Sequence, residues 1–180
     1  TPVPATNYVF DHWTGDLTGT ANPATITMTA DKSVTAVFRL LTYTLATNVT
    51  PTAAGSIALN PVTGPYNAGT TVSATATAAT GYQFVRWEGD ASGTNALTSV
   101  VMNGNKSITA VFEALTFDLN LDVTPAGLGS ISANPATGPY AYNTSVTLTA
   151  IAAAGSHYRF DHWTGDLAGS VNPLAITMNA

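Results

Sequence analysis

The sequence has no cysteine and little charge, since Asp, Glu, Lys and Arg make up only 8% of its 180 residues. Without cysteine, the chain can form neither disulfides nor a thiolate nucleophile or metal site. Ordinary globular proteins are about 25% charged, so strong electrostatic recognition of a partner is not expected. Five basic residues at a formal net charge of −5 cannot build a surface that tracks phosphates. We therefore exclude a nucleic-acid-binding protein.

Long apolar runs are also missing. No run approaches the roughly 18–20 residues of a membrane-spanning helix, so membrane insertion is not expected. The first ten residues have neither the basic start nor the apolar stretch of a signal peptide, which places any targeting information outside this sequence. Nevertheless, 45% of the residues are hydrophobic, enough for one to three small domains with real cores.

The sequence repeats itself. Its three tryptophans (Trp13, Trp87 and Trp163) each stand in the pattern Y-x-F-x-x-W-x-G-D, and a methionine follows each of them at the same distance. The segments 31–38 and 105–112 then share the ending K-S-[VI]-T-A-V-F. This self-similarity predicts tandem repeats of about 75 residues in an elongated array.

The register of the repeat divides the chain into three parts. Residues 1–39 form the C-terminal half of a repeat, residues 40–114 a complete repeat, and residues 115–180 a repeat that lacks its last strand. Because the chain starts and stops in the middle of a repeat, we expect it to be a window from a longer array.

Apolar residues alternate with polar ones along most of each repeat, as in Val72, Ala74 and Ala76 with threonine and serine between them. This period of two indicates strands, and no segment shows a helical period. We predict an all-β fold in which each repeat is a small antiparallel module of about six strands, β-grasp-like or sandwich-like. In the complete repeat the predicted strands cover residues 43–49, 55–60, 70–79, 82–88, 96–103 and 105–112, and residues 117–123 begin the third repeat with another strand.

The tryptophan strand breaks this alternation, because Phe84 and Trp87 are three residues apart and would point to opposite faces. A β-bulge at residue 85 or 86 would return both rings to one core. We expect the aromatic residues of the motif to anchor three cores and the aspartates of the Gly-Asp turns to accept backbone N–H groups. The core motif comprises Tyr8, Phe10, Trp13, Tyr82, Phe84, Trp87, Tyr158, Phe160 and Trp163, and the turn residues are Asp16, Asp90 and Asp166.

Three segments together resemble the divergent internalin-type B-repeat, or Listeria-Bacteroides repeat, of bacterial surface and secreted proteins. They are residues 67–72, residues 81–90 and residues 105–112, and the likeness extends over nearly the whole chain. The resemblance implies extracellular tandem modules with β-grasp-like relatives, and it implies no catalytic residues. The sequence offers no helix between its strands, in which it departs from a β-grasp.

Other candidate chemistry is weak. Asp11-His12, and the same pair at residues 161–162, could suggest acid–base catalysis or a metal, but adjacent strand residues point to opposite faces, so we expect solvated side chains. Asp118, Asn120 and Asp122 imitate half of a calcium loop, yet the glycine that such a loop needs is absent. We predict no catalytic residue, no cofactor and no metal.

The sequence therefore predicts a non-catalytic structural repeat of an extracellular bacterial protein that acts as a stalk, spacer or fibre-forming segment. Its partners would be neighbouring repeats of the same or an identical chain, joined by addition of a strand to the third repeat. The alternative is a glycan- or surface-binding module appended to a secreted enzyme or adhesin. The tryptophans, with Tyr66 and Tyr140, would then form an exposed aromatic face, whereas buried tryptophans favour the spacer.

Overall fold

The computed structural model describes residues 1–155 and 157–179. Within these residues the chain forms fifteen strands and no helix, which confirms the predicted all-β fold. Consequently, the described chain contains no helix that could span a membrane. The strands are β1 (Tyr8–Gly15), β2 (Val34–Leu40), β3 (Thr42–Tyr43), β4 (Leu45–Thr50), β5 (Gly55–Asn60), β6 (Tyr66–Asn67), β7 (Thr71–Ala78), β8 (Tyr82–Gly89), β9 (Leu97–Val101), β10 (Lys106–Ala114), β11 (Thr116–Phe117), β12 (Gly129–Asn134), β13 (Tyr140–Ala141), β14 (Thr144–Ala152) and β15 (Leu174–Met178).

The chain divides into two compact units. Unit 1 comprises Thr1–Ala78 and Phe84–Phe112, and unit 2 comprises Ala79–Gln83 and Glu113–Ala180. Unit 1 thus holds the first half-repeat and most of the complete repeat. Unit 2 holds the third repeat, together with the turn before β8 and the first two residues of β8.

The half-repeat of unit 1 is a two-stranded antiparallel sheet of β1 and β2. Its register shifts between Phe10 and His12, so that Asp11 is the extra residue of a β-bulge. The bulge brings the rings of Phe10 and Trp13 together, with centroids 5.2 Å apart. The bulge was predicted at residue 85 or 86 of the complete repeat, and the half-repeat has one at the equivalent position. The ring centroids of Phe84 and Trp87 are similarly 5.4 Å apart.

The complete repeat in unit 1 has two three-stranded sheets, in the orders β5-β7-β9 and β4-β10-β8. The first sheet is antiparallel, but β10 pairs with β4 in parallel, with Lys106 opposite Leu45 and Val111 opposite Thr50. The sequence did not predict this parallel pair, because alternation has the same period in both kinds of sheet. The Asn-Gly-Asn sequence of residues 103–105 predicts a short hairpin. This prediction is wrong, because these residues link strands of two different sheets.

Strand β10 is central to the core of unit 1. Its alternate residues Ile108, Ala110 and Phe112 are buried, together with Val72 and Met102 from β7 and the turn after β9. Burying a side chain the size of isoleucine or methionine stabilises a fold by about 1.5–3 kcal/mol. This strand therefore supplies both the middle of a sheet and a large part of the core.

Unit 2 has the antiparallel sheet β12-β14-β15 and the short pair β11-β13. Its core consists of Tyr140, Val146, Leu148, Trp163 and Met178, with partly buried apolar residues around them.

The strand predicted over residues 117–123 is wrong, since β11 stops at Phe117 and residues 118–123 lie in no strand. In unit 1 the corresponding strand β4 pairs with β10. No described strand of unit 2 corresponds to β10, so residues 118–123 have no neighbouring strand with which to pair their backbone groups.

Candidate functional site

The tryptophan of each repeat closes a small loop with two hydrogen bonds. The backbone N–H of Trp87 donates to the carbonyl oxygen of Gly93 at 2.9 Å, and its indole Nε1–H donates to that of Asn95 at 3.0 Å. Trp13 and Trp163 make the corresponding bonds at 2.7–2.9 Å, with acceptors Gly19 and Ala21 in the first repeat and Gly169 and Val171 in the third.

The structure places most of the predicted core motif inside. Trp87 is 2% exposed and Trp163 8%. Trp13, Phe10, Phe84, Phe160 and Tyr82 are half-buried. The core position expected for the other two tyrosines is wrong, because Tyr8 is 45% exposed and Tyr158 60%.

Tyr66 and Tyr140, proposed for a sugar-binding face, are buried. Each donates its hydroxyl to a proline carbonyl oxygen at 3.0 Å, Tyr66 to Pro61 and Tyr140 to Pro135. These rings therefore belong to the packing of their repeats.

In the complete repeat, the turn aspartate Asp90 hydrogen-bonds to the start of strand β10. One oxygen of Asp90 accepts the backbone N–H of Ser107 at 2.8 Å, and the other accepts Lys106 Nζ at 3.0 Å. These bonds, the backbone one first, hold the pKa of Asp90 below its usual range. We call this arrangement the Asp-Lys-Ser clasp. The expected acceptor role is present, but the partner lies across the sheet and not within the turn.

The half-repeat has the same clasp. Asp16 accepts the N–H of Ser33 at 2.8 Å and Lys32 Nζ at 3.2 Å, and its pKa is likewise lowered, mainly by the Ser33 bond. In the third repeat, Asp166 makes no such bond to any described residue. The clasp therefore forms where a K-S-[VI]-T-A-V-F strand is present.

The Asp-His pairs contact each other, contrary to the expectation from strand geometry. His12 Nδ1 lies 2.8 Å from Asp11 Oδ2, and the pair at residues 161–162 is 2.7 Å apart. In the half-repeat Asp11 is the bulge residue, which removes the alternation on which the expectation rested. Both pairs are solvent-accessible. Within residues 1–155 and 157–179, no group of three or more His, Asp or Glu side chains could hold a metal ion.

The short segments 40–42 and 114–116, which the sequence predicts to be stiff junctions between repeats, each contain a leucine that joins successive repeats. Leu41 donates its N–H to the carbonyl oxygen of Asn7 at 2.7 Å and accepts the N–H of Ala68 at 2.8 Å. Leu115 does the same in unit 2, donating to Gly81 at 2.8 Å and accepting from Tyr142 at 2.9 Å. Their identical place in the repeat, before a threonine, is visible in the sequence.

The comparisons with known proteins agree with this repetition. A family model described as the divergent InlB B-repeat domain matches residues 1–41, 45–116 and 119–180. No curated protein and no solved structure matches the chain significantly.

Proposed function

Because the chain belongs to the divergent InlB B-repeat family, we propose that it is a non-catalytic structural segment of an extracellular or cell-surface bacterial protein. It acts as a stalk, spacer or fibre-forming element, and its closest partners are other copies of the same repeat. The internal repetition and the family membership support this role. The observation that carries it is the hydrogen-bonded junction between repeats.

The junction supports a spacer because the linker backbone is held on both sides. Leu41 donates to a turn of the preceding half-repeat and accepts from the turn between β6 and β7 of the following repeat. A linker with both backbone groups fixed has less freedom to rotate than a solvated chain. The same bond pattern at Leu115 indicates that the junction is part of the repeat and not an accident of one position.

The packing of the aromatic residues favours the spacer over the glycan-binding alternative. A sugar-binding face needs rings that are open to solvent, but Trp87, Trp163, Tyr66 and Tyr140 are all buried. Their polar atoms already hydrogen-bond to carbonyl oxygens of their own repeats. These rings therefore stabilise the individual repeats from which a spacer is built.

The junction at Leu41 can be tested by a distance measurement within unit 1. The chain has no cysteine, so cysteines introduced at the exposed positions Thr29 and Thr63 would carry spin labels without competing sites. We expect a narrow distance distribution by double electron–electron resonance. The Leu41→Pro variant, which has lost the N–H donor, should broaden it.

The matched control is Leu41→Ala, which keeps both backbone groups and should leave the width nearly unchanged. A broad distribution in the unmodified chain would contradict the spacer. A glycan-array screen with saturable binding to a sugar would favour the alternative function.

A further inference from the structure

The first and the last long strands of the complete repeat lie side by side. These are β4 (Leu45–Thr50) and β10 (Lys106–Ala114). They pair in parallel over six consecutive residues, from Lys106 opposite Leu45 to Val111 opposite Thr50. The rest of the repeat, residues 51–105, is therefore a loop that begins and ends at this one pair of strands.

The parallel direction decides how tension along the chain acts on the pair. Tension pulls β4 from its start, beside Lys106, and β10 from its end, beyond Val111. Because the strands are parallel, these two points lie at opposite ends of the pair. The pull then slides one strand along the other, so the evenly spaced hydrogen bonds carry the load together and must break together. Antiparallel strands in the same places would be pulled apart from one end, and their bonds would break one after another.

A side-chain contact fastens the end of β4 where tension enters. Asn105 Oδ1 accepts the backbone N–H of Thr44 at 3.0 Å and the hydroxyl of the same threonine at 3.3 Å. The N–H of Lys106 donates to the carbonyl oxygen of Thr44 at 2.9 Å. These three bonds extend the attachment of β4 to β10 by one residue beyond the paired strands.

Strand β10 is also held on its other side. It is the middle strand of the sheet β4-β10-β8, and the Asp-Lys-Ser clasp joins its start to Asp90, just after β8. Its side chains Ile108 and Phe112 are buried in the core of unit 1. Sliding β10 along β4 would therefore also disturb a second strand and the core.

We propose that the complete repeat is a force-bearing module, in which the β4–β10 pair and the Thr44–Asn105 contact form a shear clamp that resists extension of the chain. While the clamp is closed, residues 51–105 carry no tension and the repeat keeps its folded length. This proposal deepens the spacer role and rests on it, since a stalk that holds two bodies together has to keep its length under load.

The clamp is tested by pulling the 180-residue chain in an optical trap from two directions. The chain has no cysteine, so cysteines introduced at exposed positions can carry the DNA handles. Thr42→Cys with Ala114→Cys loads the pair in shear, because the handles lie before β4 and at the end of β10. Thr52→Cys with Ala114→Cys places both handles at the Thr50–Val111 end and peels the strands apart. At the same constant force, we expect the sheared repeat to survive at least about tenfold longer, because two or more additional hydrogen bonds must break together.

Asn105→Ala separates the clamp from general stability. In shear it should shorten the lifetime about fivefold or more, because two loaded hydrogen bonds are lost. In peeling it should leave the lifetime nearly unchanged, because the contact lies at the far end of the pair and breaks last. The matched control is Asn103→Ala. This asparagine is exposed, and its side chain bonds to no described residue, so the lifetime should not change in either direction.

Equal lifetimes in the two directions, or a longer lifetime in peeling, overturn the clamp. An equal effect of Asn105→Ala in both directions, or no effect in either, overturns the Thr44–Asn105 contact as a part of it. The spin-label experiment reports separately on the Leu41 junction. A narrow distance distribution with equal lifetimes therefore contradicts the clamp alone, whereas a broad distribution contradicts the spacer itself.

Discussion

The methionine that follows each tryptophan provides a sharp test, because its burial differs between repeats. Met102 is fully buried in unit 1, whereas Met28 in the half-repeat is 68% exposed. The repeat pattern gives the two residues the same place. The structure therefore predicts that Met102→Ala and Met28→Ala will have very different effects on stability.

The expected magnitude follows from burial. Truncating a fully buried methionine to alanine costs about 2–5 kcal/mol, through the lost transfer free energy and the cavity left behind. An exposed substitution away from special features usually changes stability by less than about 0.5 kcal/mol. With a urea dependence of about 1.5 kcal/mol per molar, a loss of about 3 kcal/mol lowers the midpoint of unfolding by about 2 M.

The measurement is urea unfolding followed by fluorescence in a chain that carries Trp13→Phe and Trp163→Phe, so that Trp87 alone reports. Trp87 and Met102 both lie in unit 1, as does Met28. We expect Met102→Ala to lower the midpoint by about 2 M and Met28→Ala to leave it nearly unchanged. Equal shifts in the two variants would refute the difference in packing between the repeats.

Three further predictions use the contrasts between the repeats. Gly89→Ala should lower the melting temperature more than Gly165→Ala, because both glycines have positive φ but only Gly89 faces a backbone carbonyl; equal decreases in a thermal scan would refute the clash. Since the pKa of Asp90 lies below its ordinary value of 3.8, its contribution to stability is present above that pH and is lost as the pH falls through the lowered pKa. Melting temperatures measured from pH 5 to pH 2 should therefore depend less on pH in Asp90→Asn, and an unchanged dependence would count against the clasp. Gly81→Ala places a carbon 2.9 Å from the ring of Tyr142 and should accelerate amide hydrogen exchange at Leu115, whereas Gly127→Ala, with the same positive φ and open space around it, should not.

Several features could be predicted from the sequence because they depend on local pattern. The period of two gave the strands, and most predicted bounds lie within one or two residues of those in the structure, such as 55–60 for β5. The three-residue spacing of Phe84 and Trp87 predicted a bulge in the tryptophan strand, because a regular strand cannot place both rings in one core, and the first repeat has a bulge at the equivalent place. The repetition of whole motifs indicated the divergent InlB B-repeat family, to which the family comparison also assigns the chain.

The candidate sites were harder to predict. That Asp90 is a hydrogen-bond acceptor follows from its residue type and turn, but its partner Ser107 lies seventeen positions along the chain. The leucine junctions depend on hydrogen bonds between backbone N–H and carbonyl groups. Residue type does not reveal how these backbone groups pair. The exposure of Tyr8 and Tyr158 likewise depends on which residues of the folded chain cover their rings, and the sequence pattern does not show this.

The sequence by itself determined that this is a tandem β repeat with an aromatic anchor and a turn aspartate in each copy, because alternation, spacing and recurrence are properties of neighbouring residues. Only the tertiary structure decided which strands pair. It set β10 parallel to β4 and left residues 118–123 outside any strand, although both segments alternate equally well. The physical reason is that a strand is stabilised by the backbone of its neighbour, and that neighbour can be far away along the chain.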